Sequence, residues 1–208
     1  MTTNNLEWLK IAQEIQSLSQ TGLAFCENNY ERGRYSRLTE IAAEIVSNNT
    51  QLEKESTEKI LMLQPGYATP KVDVRSAVVK DDKLLLVRES TDGRWAMPGG
   101  WADVGDTPAE VAVRETFEES GFEVRPTKLI GVFDANRSGR PLELFHAFKL
   151  IFLCDLIGGE AATSEETTEV GFFPFDSLPE LSSNRTNERH LDEIKEHLKD
   201  SLRPTFYE

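Results

Sequence analysis

Apolar positions recur at helical spacing through the first sixty residues, then change near residue 72 to the alternation expected of strands. Leu6, Leu9, Ile11, Ile15 and Leu18 predict a first helix, and Ser19, Gln20, Thr21 and Gly22 mark a break. A second helix is expected over residues 24–30 and a third over residues 35–46, with Leu38, Ile41, Ala42 and Ile45 on one face; Ser47, Asn48, Asn49 and Thr50 break the pattern again. Residues 1–62 thus form a small all-α module, near the lower size limit for a free-standing core. Its apolar faces exceed what so small a unit can bury alone, so a homodimer is expected. Residues 63–71, with Pro65, Gly66 and Pro70, predict a linker. A second domain over 72–208 opens with Val72, Val74, Ala77 and Val79, turns at Asp81-Asp82 and returns through residues 84–87. Short strands are expected at residues 122–124, 128–133 and 170–175, a long one over 142–156, and a closing helix over 186–202.

Residues 99–122, GGWADVGDTPAEVAVRETFEESGF, carry the candidate chemistry. Thr107, Pro108 and Glu110 form a capped helix start, and Gly121 is placed to end the helix in a left-handed conformation. On that helix Glu115, Glu118 and Glu119 span about 100° of the circumference. Like charges so close oppose helix formation, and a divalent cation resolves the repulsion. Gly99 and Gly100 permit close backbone approach, so a carbonyl at Gly99 is a candidate fourth ligand. A bare E-x-x-E-E on a helix is more often a solvated acidic face; the glycine pair, the capped start, the Arg114-Glu115 pair and the terminal glycine together favour a metal site.

These residues resemble the Nudix box, G-x5-E-x7-R-E-U-x-E-E-x-G-U with U apolar, from Gly100 through Arg114, Glu115, Glu118, Glu119 and Gly121 to Phe122. Asp106 stands where the family usually has Glu, and Thr116 where it usually has an aliphatic residue. The resemblance implies an α+β fold, an α/β/α sandwich with a mixed sheet, here preceded by the small all-α domain. It implies an Mg²⁺-dependent hydrolase (Mn²⁺ being a substitute) that cleaves the pyrophosphate of a nucleoside diphosphate linked to another moiety, of ADP-ribose or CDP-choline type. Gly99, Glu115, Glu118 and Glu119 are the expected metal ligands; Glu118, Glu119 and Arg114 the expected catalytic residues. The helical extension, the phrase GLAFCENNYERGRYSRL and the closing LPELSSNRT are similar to a bacterial subgroup of the family. A base or further ligand is expected from the later loop, with Glu166 and Glu169 as candidates and solvated loop acids as the alternative. Arg75, Arg88, Trp101 and Arg137 are candidate substrate contacts, since guanidinium forks suit phosphates and an aromatic ring suits a base.

The 208 residues carry a formal net charge of −13. That charge disfavours DNA, RNA and anionic membranes as partners and requires local cations for an anionic nucleotide. No apolar run is long enough to span a bilayer, and the first residues lack a signal-peptide pattern. Cys26 and Cys154 show neither metal spacing nor a disulfide framework, so reduced thiols and a cytoplasmic setting are expected. Two other functions remain open at this point: a catalytically silent nucleotide-sensing module, and a Nudix enzyme acting on RNA. Intact Glu115, Glu118 and Glu119 argue against the first, and the acidic charge against the second.

Overall fold

A computed structural model describes residues 7–135 and 144–208 of the chain. Contacts divide it into a helical unit, residues 1–70 with 144–146, and a second unit of residues 71–143 and 147–208.

In the helical unit, α1 (Glu7–Phe25), α2 (Asn29–Asn49) and α3 (Lys54–Met62) follow one another. The break expected at residues 19–22 is absent, and residues 24–30 do not form a helix of their own. The Ser19 hydroxyl donates to the Tyr35 carbonyl (2.6 Å) and pairs with Thr39, so polar residues that read as a break are spent between helices. Gly22 lies against the Tyr35 ring, where a Cβ would collide. The chain turns instead at Asn28, whose side chain caps α2 by accepting from the Glu31 N–H. Ala42, Ala43 and Leu61 form the core, joined by Ile15 and by Leu144 and Phe145 of the returning segment. Large apolar side chains remain on the surface of this unit, among them Leu18, Phe25, Tyr30, Met62 and Leu63.

The second unit is built on β1 (Lys71–Lys80). It turns through Asp81 and Asp82, both with positive φ, into β2 (Lys83–Glu89), the two-residue hairpin geometry whose twist matches the strands. Then come β3 (Trp95–Ala96), β4 (Gly99–Trp101), α4 (Pro108–Ser120), β5 (Phe122–Asp134), β6 (Ala147–Gly159), β7 (Thr167–Pro174), α5 (Glu188–Lys199) and β8 (Phe206–Tyr207). The sheet runs β3-β2-β1-β6-β5-β8, with β4 paired to β1 and β7 to β2. It is mixed, since β1 pairs parallel with β6 and antiparallel with β2 and β4. The two short strands expected at 122–124 and 128–133 are one strand, β5, whose register shifts at its bulges disguise its continuity.

Alternation along β1 sends Val74 and Val78 to one face, with Val111 and Ala112 of α4, and Ala77 to the other, with Leu191 and Ile194 of α5. Helix, sheet and helix therefore stack as an α/β/α sandwich. The start of α4 has a full capping box: Thr107 N–H donates to Glu110 Oε2 (2.9 Å) and Glu110 N–H to Thr107 Oγ1 (3.4 Å). Thr116, buried in this helix, donates its hydroxyl to the Ala112 carbonyl (2.6 Å), so a polar residue fits an apolar position without an unpaired group. Gly121 ends α4 at φ 74°, with the Glu160 carbonyl where a Cβ would stand.

Two glycine substitutions separate these causes. Gly121→Ala meets both strain and collision, and thermal melting is expected to show a loss of about 1–3 kcal/mol. Gly33→Ala, in the interior of α2 with open space around it, is expected to stabilise by up to about 1 kcal/mol.

Candidate active site

The site begins below its own floor. Asp73 and Arg75 lie two residues apart on β1, hence on one face of the strand, and Lys149 of β6 is the register partner of Asp73. Arg75 Nε and Nη2 donate to the two Asp73 carboxylate oxygens (3.0 and 2.9 Å), and Lys149 Nζ donates to Asp73 Oδ1 (2.7 Å). All three are buried. Burial alone would raise the Asp73 pKa; the two cations more than offset it and hold the carboxyl well below the usual carboxylate range. Arg75 also donates to the Met97 carbonyl (3.2 Å), tying the triad to the turn that leads into β4.

Above this floor β4 and α4 meet. Gly99 pairs with Arg75 in the β4–β1 register, at φ 144°, and a Cβ there would collide with the Val74 carbonyl. The Gly99 N–H donates to Glu119 Oε2 (2.9 Å). Gly100 lies under the Glu115 carboxylate, whose Oε2 stands 2.7 Å from where a Cβ would be. Gly99 thus lets β4 close on the β1 backbone, and Gly100 makes room for the Glu115 carboxylate of α4. Arg114 braces the face: Nη1 lies 2.6 Å from Glu115 Oε1 and 3.4 Å from Glu118 Oε2, and Nη2 lies 3.1 Å from Asp106. The shorter Asp106 carboxylate therefore still reaches Arg114.

Gly99, Gly100, Arg114, Glu115, Glu118 and Glu119 line an open cleft of about 630 Å³, together with Trp101, Ser164, Glu165 and Glu166. Burial pushes the Glu119 carboxyl up to about 8, with Arg75 and the Gly99 N–H opposing the shift in part. Burial also raises Glu115, against the pull of Arg114. The proteins's own cations thus leave these carboxylates only partly compensated. Among the described residues no three acidic, histidine or cysteine side chains are drawn together as a closed metal cage. Arg114, bridging Glu115 and Glu118, takes up charge between them.

The other expected site residues divide. Glu166 and Trp101 line the cleft. Glu169 and Arg88 do not; they pair with each other across β7 and β2, at 2.5 Å, because Arg88 and Glu169 are register partners. Arg75 lines the cleft, but as a buried partner of Asp73. Arg137 lies outside the described residues. Glu89 and Arg185 are among the lining residues that had not been expected. Glu89, at the end of β2, is buried with its pKa raised by burial, and Arg185, in the loop before α5, places Nε 3.0 Å from Glu89 Oε1. Neither belongs to a local pattern; the LPELSSNRT phrase that contains Arg185 was the available signal.

Known proteins give the same picture. Residues 70–194 match the NUDIX domain, and residues 6–61 match a UDP-X-like, N-terminal oligomerisation domain. A Bacillus subtilis (strain 168) protein provisionally named ADP-ribose pyrophosphatase YjhB is 36% identical over 202 residues, 97% of each chain. A crystal structure of a UDP-X diphosphatase is similar with a TM-score of 0.63 at 31% identity, covering 98% of this chain and 99% of the other. That of an ADP-ribose pyrophosphatase from Streptococcus suis 89-1591 has a TM-score of 0.61 at 34% identity, covering 67% of this chain and all (100%) of the other. With a box helix set against paired glycines, and a family match over more than half its length, the chain belongs to the Nudix family and is a hydrolase of the nucleoside diphosphate-X pyrophosphatase class.

Proposed function

We propose that this cleft holds Mg²⁺, with Mn²⁺ as a substitute, and hydrolyses the pyrophosphate of a nucleoside diphosphate joined to a second moiety. The observation that carries the reading is the set of under-compensated carboxylates facing one cleft over a glycine cradle. Carboxylate oxygens are hard donors and suit a hard cation. Glu115, Glu118 and Glu119 would hold it, with Gly99 at the same wall. The bound cation supplies neutralisation of phosphate charge and a lowered pKa for a bound water.

The chain's own residues do the rest. Arg114 keeps Glu115 and Glu118 in place on the helix, and the Gly99 N–H fixes one oxygen of Glu119. Glu166, from the loop before β7, is the group we assign to take the proton of the attacking water. Trp101, with 44% of its surface exposed at the cleft, offers a ring on which a base can stack. ADP-ribose and UDP-linked compounds are the first substrates to try, because relatives similar over most of this chain bear those names; CDP-choline completes the set. We also infer that the exposed apolar side chains of the helical unit form a homodimer surface, a reading supported by the oligomerisation-domain match.

Release of nucleoside monophosphate from ADP-ribose, CDP-choline and UDP-glucose, with Mg²⁺, Mn²⁺ or EDTA, tests the reaction. Turnover of at least one compound is expected, and EDTA should abolish it. Glu119→Gln is expected to lower kcat by at least about 10²-fold. Glu166→Ala should lower kcat by about 10²-fold or more, the range of a lost general base, whereas Glu169→Ala, outside the cleft, should change it little. Full metal-dependent turnover in Glu119→Gln would remove the ligand assignment. Sedimentation at micromolar concentration is expected to give a dimer; a monomer there would contradict the proposed surface.

A further inference from the structure

The cleft is crowded with acid. Glu89, Glu115, Glu118, Glu119, Glu165 and Glu166 line it, and a diphosphate entering must meet positive charge beyond that of a metal. Three arginines also line it; one is tied to Asp73 and one to the carboxylate face of α4. Arg75 is buried on Asp73 and the Met97 carbonyl, and Arg114 is spread over Asp106, Glu115 and Glu118. Arg185 is placed differently. Its side chain is 28% exposed, and among the described residues its hydrogen bonds go to two hydroxyls, Ser182 Oγ (3.0 Å, from Nη1) and Thr91 Oγ1 (3.2 Å, from Nη2). A guanidinium has five N–H groups; with Nε facing Glu89, Nη1 shared between Ser182 and Asp92, and one Nη2 N–H on Thr91, the second Nη2 N–H is left among the described residues for a further acceptor. Its charged neighbours are Glu89 Oε1, 3.0 Å from Nε, and Asp92 Oδ2, 3.5 Å from Nη1.

The loop that carries Arg185 is fixed to the glycine wall at two points. Ser182 N–H donates to the Trp95 carbonyl (2.8 Å), and Met97 N–H donates to the hydroxyl of the fully buried Thr186 (2.8 Å). Trp95 and Met97 belong to the stretch that runs directly into Gly99 and Gly100. Arg185 is thus indexed to the same backbone that seats the carboxylates. Glu89 adds the lateral restraint: it is only 5% exposed, and it approaches Nε, the one guanidinium nitrogen that cannot rotate away from the side-chain stem.

We propose that Arg185 binds a phosphate oxygen of the diphosphate substrate, with Glu89 as the positioning residue that aims its guanidinium. The assignment rests on the pyrophosphatase reading of this cleft. A fork of planar N–H groups matches phosphate oxygens, and a pre-aimed fork loses little freedom on binding. Glu89 acts through Arg185.

Steady-state kinetics of Arg185→Gln, Arg185→Lys and Glu89→Gln, on the compound the unaltered protein cleaves fastest, test this, with melting curves as the check on folding. Arg185→Gln is expected to raise KM about tenfold or more, the order contributed by a charged hydrogen bond, with kcat falling less than KM rises. Arg185→Lys should recover part of the loss, because charge returns without the fork. Glu89→Gln should raise KM by a smaller factor, and the double substitution Glu89→Gln with Arg185→Gln should be no worse than Arg185→Gln alone, since the two act as a unit. An unchanged KM in Arg185→Gln, or additive effects of the two sites, would overturn the assignment. If Arg185→Gln fails to fold, unchanged KM values in both Arg185→Lys and Glu89→Gln overturn it equally. Absence of any cleavage by the unaltered protein would sink the functional reading, and this assignment with it; cleavage with an unchanged KM in the variants would sink this assignment alone.

Discussion

The ion triad of Asp73, Arg75 and Lys149 is the constraint on which the site depends. Three charges in the middle of a sheet carry a large desolvation cost, and such groups persist only when each meets a partner at good geometry. Here the sheet itself supplies the geometry: one pair two residues apart on β1, and one pair set by the β1–β6 register. The triad has a consequence upward. Arg75 draws Glu119 toward ionisation from below, while burial resists it, and the Glu119 carboxyl comes to rest at about 8. Loss of Asp73 would leave the buried Arg75 without its carboxylate, costing about 3–5 kcal/mol, and would slacken the strand against which Gly99 and Glu119 are set.

The cleft is thus electrostatically unfinished by construction. Glycine at 100 admits the Glu115 carboxylate where a side chain would collide with it, glycine at 99 lets β4 close on β1, and Arg114 meets only part of the charge that results. A fold selected for stability alone would place apolar or paired groups there. Deferred neutralisation of this kind is what a cation-dependent site requires, because the bound ion then contributes most when the carboxylates have lost their protons.

How much of this was legible in the sequence follows the distance over which each feature is set. The α4 cap, the glutamate face and the Gly121 stop lie within two dozen residues, and the local spacing expressed them completely. The change of period marked where helices give way to strands, and the sandwich itself was implied by the family resemblance. The polar run at residues 19–22 misled because Ser19 is spent on Tyr35 and Thr39, a contact between helices that no local pattern records. Lys149 carried no local signal; its role lies in the register that sets it beside Asp73. Glu89 and Arg185 meet only when β2 and the loop before α5 are brought together. Arg88 and Glu169 read as a phosphate clamp and a base, but cross-strand pairing neutralises one with the other.

Whether the uncompensated carboxylates are held together for a divalent cation can be read from the Mg²⁺-induced rise in melting temperature at pH 5 and pH 8, in the unaltered protein and in Glu119→Gln. The folded Glu119 carboxyl titrates at about 8 and its unfolded counterpart near 4.5. Between those values the folded state keeps a proton that the unfolded state releases, so without metal this group's contribution to stability falls as pH rises. Mg²⁺ competes with that proton and stabilises the folded state by binding it selectively. The expected rise is larger at pH 8 than at pH 5 and is largely lost in Glu119→Gln. No rise at either pH, or an equal rise in the variant, would contradict a cation site there.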